Sequence, residues 1–152
     1  MKHYAPPARP SAPPPRRIPR FHPVPVAPRR DGWTIERQAR FIGMLAQTRS
    51  VAAAARAVSM GRESAYRLRK HSGAAGFAAA WDAALGKPHR AVDLASDKAT
   101  GLDVGYRYRA GLVRTIMRAG QYVLSRREPD HSAHQRYLAR LDRAAGLTGE
   151  ER

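Results

Sequence analysis

Ten of the twelve prolines in this chain of 152 residues fall within the first thirty positions. Proline fixes φ and removes a backbone donor, so that segment cannot build helix or sheet ladders. The same thirty residues hold seven Lys/Arg and no acid, a composition that predicts a disordered tail of polyproline II character over 1–30. Beyond it, proline occurs only at Pro88 and Pro129, and long stretches are free to be helical.

Hydrophobic spacing supports that reading. Trp33 and Thr34 open the ordered region, with Thr34 as the predicted N-cap and Glu36 complementing the helix dipole. Phe41, Ile42 and Leu45 recur at helical spacing, so a first helix is expected over about 35–47. Ser50 can cap a short second helix over 51–58, with Val51, Ala54, Ala55 and Val58 on its buried face. Ser59, Met60 and Gly61 break the pattern, and a third helix is expected over about 62–70. A fourth opens near Ser72, carries Phe77, Trp81 and Leu85 on one face, and stops at Gly86 and Pro88.

The C-terminal half is less decided. Residues 87–104 have no clear period and read as a linker. Tyr106 and Tyr108 alternate with Arg107 and Arg109, and Ala110 with Gly111 can turn a hairpin. Leu112, Val113, Ile116, Met117, Val123 and Leu124 equally fit a helix beginning at 112. We take a short hairpin followed by a helix over about 118–127. Pro129 ends it, Asp130 caps the next, and Tyr137, Leu138 and Leu141 mark a last helix ending near Gly146. The expected fold is mostly α, with a helix-turn-helix domain over 31–86 and a short hairpin in a C-terminal segment over 105–147.

The 28 Lys/Arg against 12 Asp/Glu give a net charge of +16, and the folded part is basic without the tail. A charge of that size points to a polyanionic partner, nucleic acid before anionic membrane. There is no cysteine, which excludes disulfide scaffolds and Cys-based metal sites. No apolar run approaches the length of a membrane span, and the basic N-terminus lacks an apolar signal region. A cytoplasmic, nucleoid-associated protein with no membrane partner is expected.

Ser50 to Lys70 carries the functional reading. A helix-turn-helix needs two short helices crossing closely about a tight turn. Ala54 and Ala55 permit close approach, while Met60, Ala65 and Leu68 supply the apolar plugs. The outward face of the second helix is then Arg62, Glu63, Tyr66, Arg67 and Lys70. Such a helix fits the major groove, where Arg can bond bidentately to guanine.

The run A-R-A-V-S-M-G-R-E-S-A-Y-R-L over Ala55–Leu68 resembles the helix-turn-helix of resolvase/invertase recombinases, transposases and small terminase subunits. Those families read alanine, three residues, a small residue, apolar, Ser, Arg, any, Thr/Ser, apolar, Tyr, Arg. Arg62, Ser64, Ala65, Tyr66 and Arg67 match in order. Ser59 stands where Gly is usual, and Gly61 where a capping Ser is usual. The wider span Asp31–Leu85 is similar to small helix-turn-helix proteins of alphaproteobacteria. These carry a Trp-Thr start and a later Phe-Ala-x-Ala-Trp-Asp helix, and a Tyr/Arg hairpin follows their fourth helix. The resemblance implies DNA binding, with Arg62 and Glu63 at base edges. It assigns Ser64, Tyr66 and Arg67 mainly to phosphates, with Arg67 within reach of a base. Ser50 and Lys70 complete the candidate set.

Three further features have a functional and a plain reading. Arg16, Arg17, Arg20, Arg29 and Arg30 can act as a phosphate-tracking arm or as a solubilising linker. Arg107, Arg109 and Arg114, interleaved with Tyr106 and Tyr108, can stack on unpaired bases, or the tyrosines can pack on a helix; we favour packing. His131 and His134 beside Asp130 have metal-ligand types, but without a further ligand they read as surface histidines.

The sequence has no Gly-rich phosphate loop and no convincing Ser/His/Asp or Cys/His set, and its twelve acids are dispersed, with no run resembling the carboxylate cluster of a transposase or nuclease. A non-enzyme without cofactor or small-molecule ligand is expected, binding double-stranded DNA as a transcriptional regulator, with a homodimer through the C-terminal segment open. The rivals are a phage-derived packaging or recombination accessory protein and a non-specific nucleoid or RNA-binding protein.

Overall fold

The computed structural model describes residues 17–27 and 29–149. The chain is mostly helical, with one small antiparallel hairpin in its C-terminal half. The first four helices are α1 (Ile35–Thr48), α2 (Val51–Ala57), α3 (Arg62–Arg69) and α4 (Ala75–Ala84). Two short helices follow, α5 (Asp97–Thr100) and α6 (Val104–Ala110), then β1 (Leu112–Arg118), β2 (Gln121–Glu128) and α7 (His131–Gly149).

The helix starts follow from their caps. Thr34 Oγ1 accepts from the Arg37 N–H at 3.2 Å, and Ser50 Oγ accepts from the Ala53 N–H at 3.2 Å. Each satisfies one of the orphan amides of a first turn. Asp130 Oδ1 likewise accepts from the Ala133 N–H at 3.0 Å and starts α7.

The core is an aromatic cluster gathered on α1. Phe41 meets Trp33 at 5.4 Å, Trp81 at 5.0 Å and Phe77 at 6.1 Å between ring centroids. Phe21 joins edge-on to Phe77 at 5.8 Å. Ile42 and Leu45 complete the buried stripe of α1, and the fully buried Ala54 and Ala55 let α2 cross it closely.

Three expectations require correction. The tail was expected to be disordered over 1–30; residues 1–16 and Pro28 lie outside the described residues, but 17–27 form an extended strap packed into the fold. Phe21, His22, Pro23 and Val24 are buried. Proline denies this strap a regular ladder, but its backbone finds other partners. The Gln38 side-chain amide accepts from Val24 N–H at 2.7 Å and donates to Val24 C=O at 3.0 Å. Phe21 and Val113 exchange two backbone hydrogen bonds, and the Tyr106 hydroxyl donates to the Pro23 carbonyl at 2.6 Å.

The expected hairpin lies further along the chain, and the helix expected over 118–127 is replaced by β2. Residues 104–110 are α6, capped by Asp103 and ended by Gly111 at φ 70°. The turn is Ala119-Gly120, with φ of 51° and 77°, the paired left-handed conformation that matches strand twist. The apolar spacing suggested a helix because Val123 and Leu124, adjacent on β2, are both largely exposed and do not report a buried face. The hairpin instead lies on α1 at Gly43, where a Cβ would stand 2.2 Å from the Tyr122 ring.

The stretch read as a patternless linker contains α5, anchored by a buried arginine. Arg107 is fully buried, ion-pairs with Asp97 and donates to the Leu94 carbonyl at 2.8 Å. No helix among the described residues is long and apolar enough to cross a membrane.

Candidate nucleic-acid interface

Helix α3 buries Ala65 and Leu68 against the core and leaves its opposite face to solvent. Arg62, Glu63, Tyr66, Arg67 and Lys70 are all exposed. At 3.6 residues per turn they fall within an arc of about 140°, one continuous side of the helix. Gly61, Arg62, Glu63, Ser64, Tyr66 and Arg67 surround a shallow depression there.

The turn into this helix is tight at an unusual residue. Ser59 adopts φ 58°, in the left-handed region that glycine enters without a Cβ penalty. The Ser59 N–H reaches Arg56 C=O at 3.0 Å and the Met60 N–H reaches Ala55 C=O at 2.9 Å, so the turn closes without glycine. Gly61 occupies the N-cap of α3 and contributes no side-chain bond. Glu63 places a negative charge in the first turn, where the helix dipole favours it.

The candidate residues divide by what they touch. The Arg62 guanidinium lies 6.0 Å from the Tyr66 ring centroid, and the Tyr66 ring tilts against Trp81 at 5.2 Å. Tyr66 thus has one face on the core and keeps 39% of its surface exposed. Ser64 is committed internally. Its hydroxyl donates to Gly61 C=O at 2.7 Å and accepts from the Trp33 indole N–H at 3.2 Å. That places Ser64 as a tie between α3 and the start of α1. Ser50 is half-buried at the α2 cap.

Arg69 was not singled out in the sequence and proves central to the geometry. Its guanidinium forms two hydrogen bonds to the Asp82 carboxylate and lies 5.3 Å from the Trp81 ring centroid. This fork fixes the presented face of α3 against α4. Nothing local marks the pair, since thirteen residues separate the partners.

The Tyr/Arg stretch has a structural role at three of its positions. Arg107 is buried, and the Tyr106 hydroxyl is bonded to the strap, its pKa pushed up to about 12 by burial. Tyr108 stacks on His134 and Tyr137 of α7, at 4.9 and 5.3 Å. Arg109 remains exposed, and Arg114 reaches Glu128 at 2.6 Å. His134 is held in that stack, and no group of three or more metal-ligating side chains occurs among the described residues. Of the basic arm, Arg20 pairs with Glu128 at 3.1 Å and Arg29 approaches Asp31 at 3.7 Å, while Arg16 lies outside the described residues.

His22 also escaped the sequence reading. It is 2% exposed, and its Nε2 lies 2.6 Å from Asp130 Oδ2, with an Arg107 nitrogen 4.0 Å from the same oxygen. Burial lowers the His22 pKa below its ordinary value; the Asp130 hydrogen bond and charge oppose this, and Arg107 and Arg20 reinforce it. The cluster joins the strap, α6 and the start of α7 in the interior.

Neither a protein-family model, nor a curated protein, nor a solved structure matches the chain.

Proposed function

We propose that the protein binds double-stranded DNA by laying the exposed face of α3 in the major groove, and that it acts as a transcriptional regulator associated with the nucleoid. The observation that carries this reading is the grouping of Arg62, Tyr66, Arg67 and Lys70 on one exposed side of a short helix. The opposite side of that helix is fixed to the core by Ala65, Leu68 and the Arg69–Asp82 fork. A rigidly backed helix with donors outward is what groove reading requires. The +16 charge supplies backbone attraction, and the resemblance of Ala55–Leu68 to recombinase and terminase helix-turn-helix units agrees with it.

In this reading Arg62 and Arg67 donate to base edges or phosphates, and Glu63 accepts from a cytosine amino group. The decisive experiment is selection from random duplex DNA by the full chain at physiological salt. A recovered motif that Arg62→Ala blurs supports the proposal. Uniform recovery of all sequences would overturn sequence-specific reading and favour a non-specific nucleoid or RNA-binding role.

A further inference from the structure

A cleft of about 640 Å³ lies where the strap, the hairpin and the C-terminal ends of α1 and α4 converge. Its origin is a proline. Phe21 and Val113 form a hydrogen-bonded antiparallel pair between strap and β1. The next such pair would set Pro19 opposite Thr115, and Pro19 has no N–H to give. The ladder ends there, and the edge of β1 beyond Val113 opens into the cleft. By strand alternation, the backbone N–H of Thr115 faces the strap side as that of Val113 does. No strap residue among the described ones bonds to it. The Thr115 hydroxyl, shielded from solvent, also lacks a partner.

The lining combines two chemistries. Arg17, Arg20, Arg49 and Arg114 contribute to it from three separate segments. Glu128 pairs with Arg20 and Arg114, while Arg17 and Arg49 have no carboxylate within ion-pair reach among the described residues. The rest is apolar, with Ala46, Ala83 and Ala84 from the helices and Ile18, Ile116 and Met117 from strap and hairpin. A volume of this size is within the range of small-molecule sites, which bury an apolar body and fix it by a few polar groups. A DNA backbone is polar along its length and has no apolar body to bury.

We infer that this cleft binds a small amphipathic anion, a phosphate or carboxylate head on an apolar body. The head faces Arg17 and Arg49 and the unpaired edge of β1; the body lies on the alanines and on Ile116 and Met117. The site stands whether or not α3 reads DNA, because it shares no residue with that face. A bound anion would tie the strap and hairpin to the end of α1 next to the α2 cap, a route for it to alter the helix-turn-helix unit.

The test is calorimetric titration of the full chain with hexyl phosphate, inorganic phosphate and hexanol. Hexyl phosphate is expected to bind at one site, at least tenfold tighter than inorganic phosphate, with no binding of hexanol. Arg17→Gln combined with Arg49→Gln changes two side chains that are exposed, so the fold should survive, as circular dichroism checks. This double variant is expected to weaken hexyl phosphate at least tenfold. Arg90→Gln with Lys98→Gln, equal in charge change and outside the cleft, is expected to leave it within twofold. Equal affinity for hexyl and inorganic phosphate, or equal losses in both double variants, would overturn the inference and leave only general attraction to a basic chain. Loss of duplex affinity in Arg17→Gln/Arg49→Gln without any hexyl phosphate binding would also overturn it and assign the cleft to the DNA surface.

Discussion

Arg69 and Asp82 meet through two parallel hydrogen bonds, Nη1 to Oδ1 at 2.8 Å and Nη2 to Oδ2 at 3.0 Å. Both side chains are about three-quarters shielded from solvent, and the guanidinium also covers Trp81. A fork of this kind depends on the planar guanidinium, which lysine cannot reproduce. Arg69→Lys is therefore expected to cost about 1 kcal/mol. Urea denaturation measures it, and Asp82→Asn in the Arg69→Lys background should add little further loss if the two residues act as one unit.

Ser59 holds the left-handed conformation at φ 58°, which glycine adopts without a Cβ penalty. Relieving that penalty is worth roughly 1–2 kcal/mol, partly offset by the greater freedom of glycine in the unfolded chain. Ser59→Gly is expected to raise stability by about 0.5–1 kcal/mol, read as a higher Tm. A lower Tm would mean that the Ser59 side chain has a role in the turn.

Gln38 is fully buried and makes three hydrogen bonds, two to Val24 and one to Trp33 C=O at 3.1 Å. Removing it strands buried backbone groups of the strap. Gln38→Ala is expected to destabilise by about 3 kcal/mol. Protease sensitivity near Val24 should rise in parallel, because the strap loses its main anchor on α1.

His22 makes stability fall on the acidic side. Its folded pKa is lowered, chiefly by burial, so the unfolded chain binds a proton there more readily than the folded chain. Where the unfolded state binds more protons, stability rises with pH. The contribution of His22 is thus present above its unfolded value of about 6.5 and is lost as pH falls from there towards the folded value. Urea midpoints at pH 7.5 and pH 5.5 should differ, and His22→Gln should shrink that difference. An unchanged difference in the variant would assign the effect to other groups.

Arg62 tests the groove reading at a single side chain. Arg62→Ala removes an exposed guanidinium that lies 6.0 Å from the Tyr66 ring centroid, so circular dichroism should stay unchanged. Preference at one or two base positions is expected to fall by about 1–3 kcal/mol in competition binding. A uniform loss over all duplexes would make Arg62 a phosphate contact.

The first four helices were legible from local signals, although α4 starts at Ala75 behind an uncapped Ala74 and not at the Ser72 expected to open it. Thr34 and Ser50 are caps, Gly61 and Gly86 are breaks, and the Phe41-Ile42-Leu45 stripe has the period of a helix. The outward face of α3 was legible for the same reason, since Ala65 and Leu68 define its inner side. A hairpin in the C-terminal half was legible too, but not its place, because adjacent exposed apolar residues such as Val123 and Leu124 break the two-residue alternation of a half-buried strand.

By itself, then, the sequence determined a basic, mostly helical chain with a short helix whose charged side must face outward, since periodicity and capping act within a few residues. Tertiary structure alone decided three things: that a proline-rich strap is folded, that Arg69 and Asp82 fix α3, and that four arginines share a cleft. Each depends on partners far apart in the chain, as Phe21 with Val113, His22 with Asp130, and Arg20 with Glu128 show. Local propensity has no access to such pairings, because groups far apart in sequence can satisfy one another only after the chain has closed on itself.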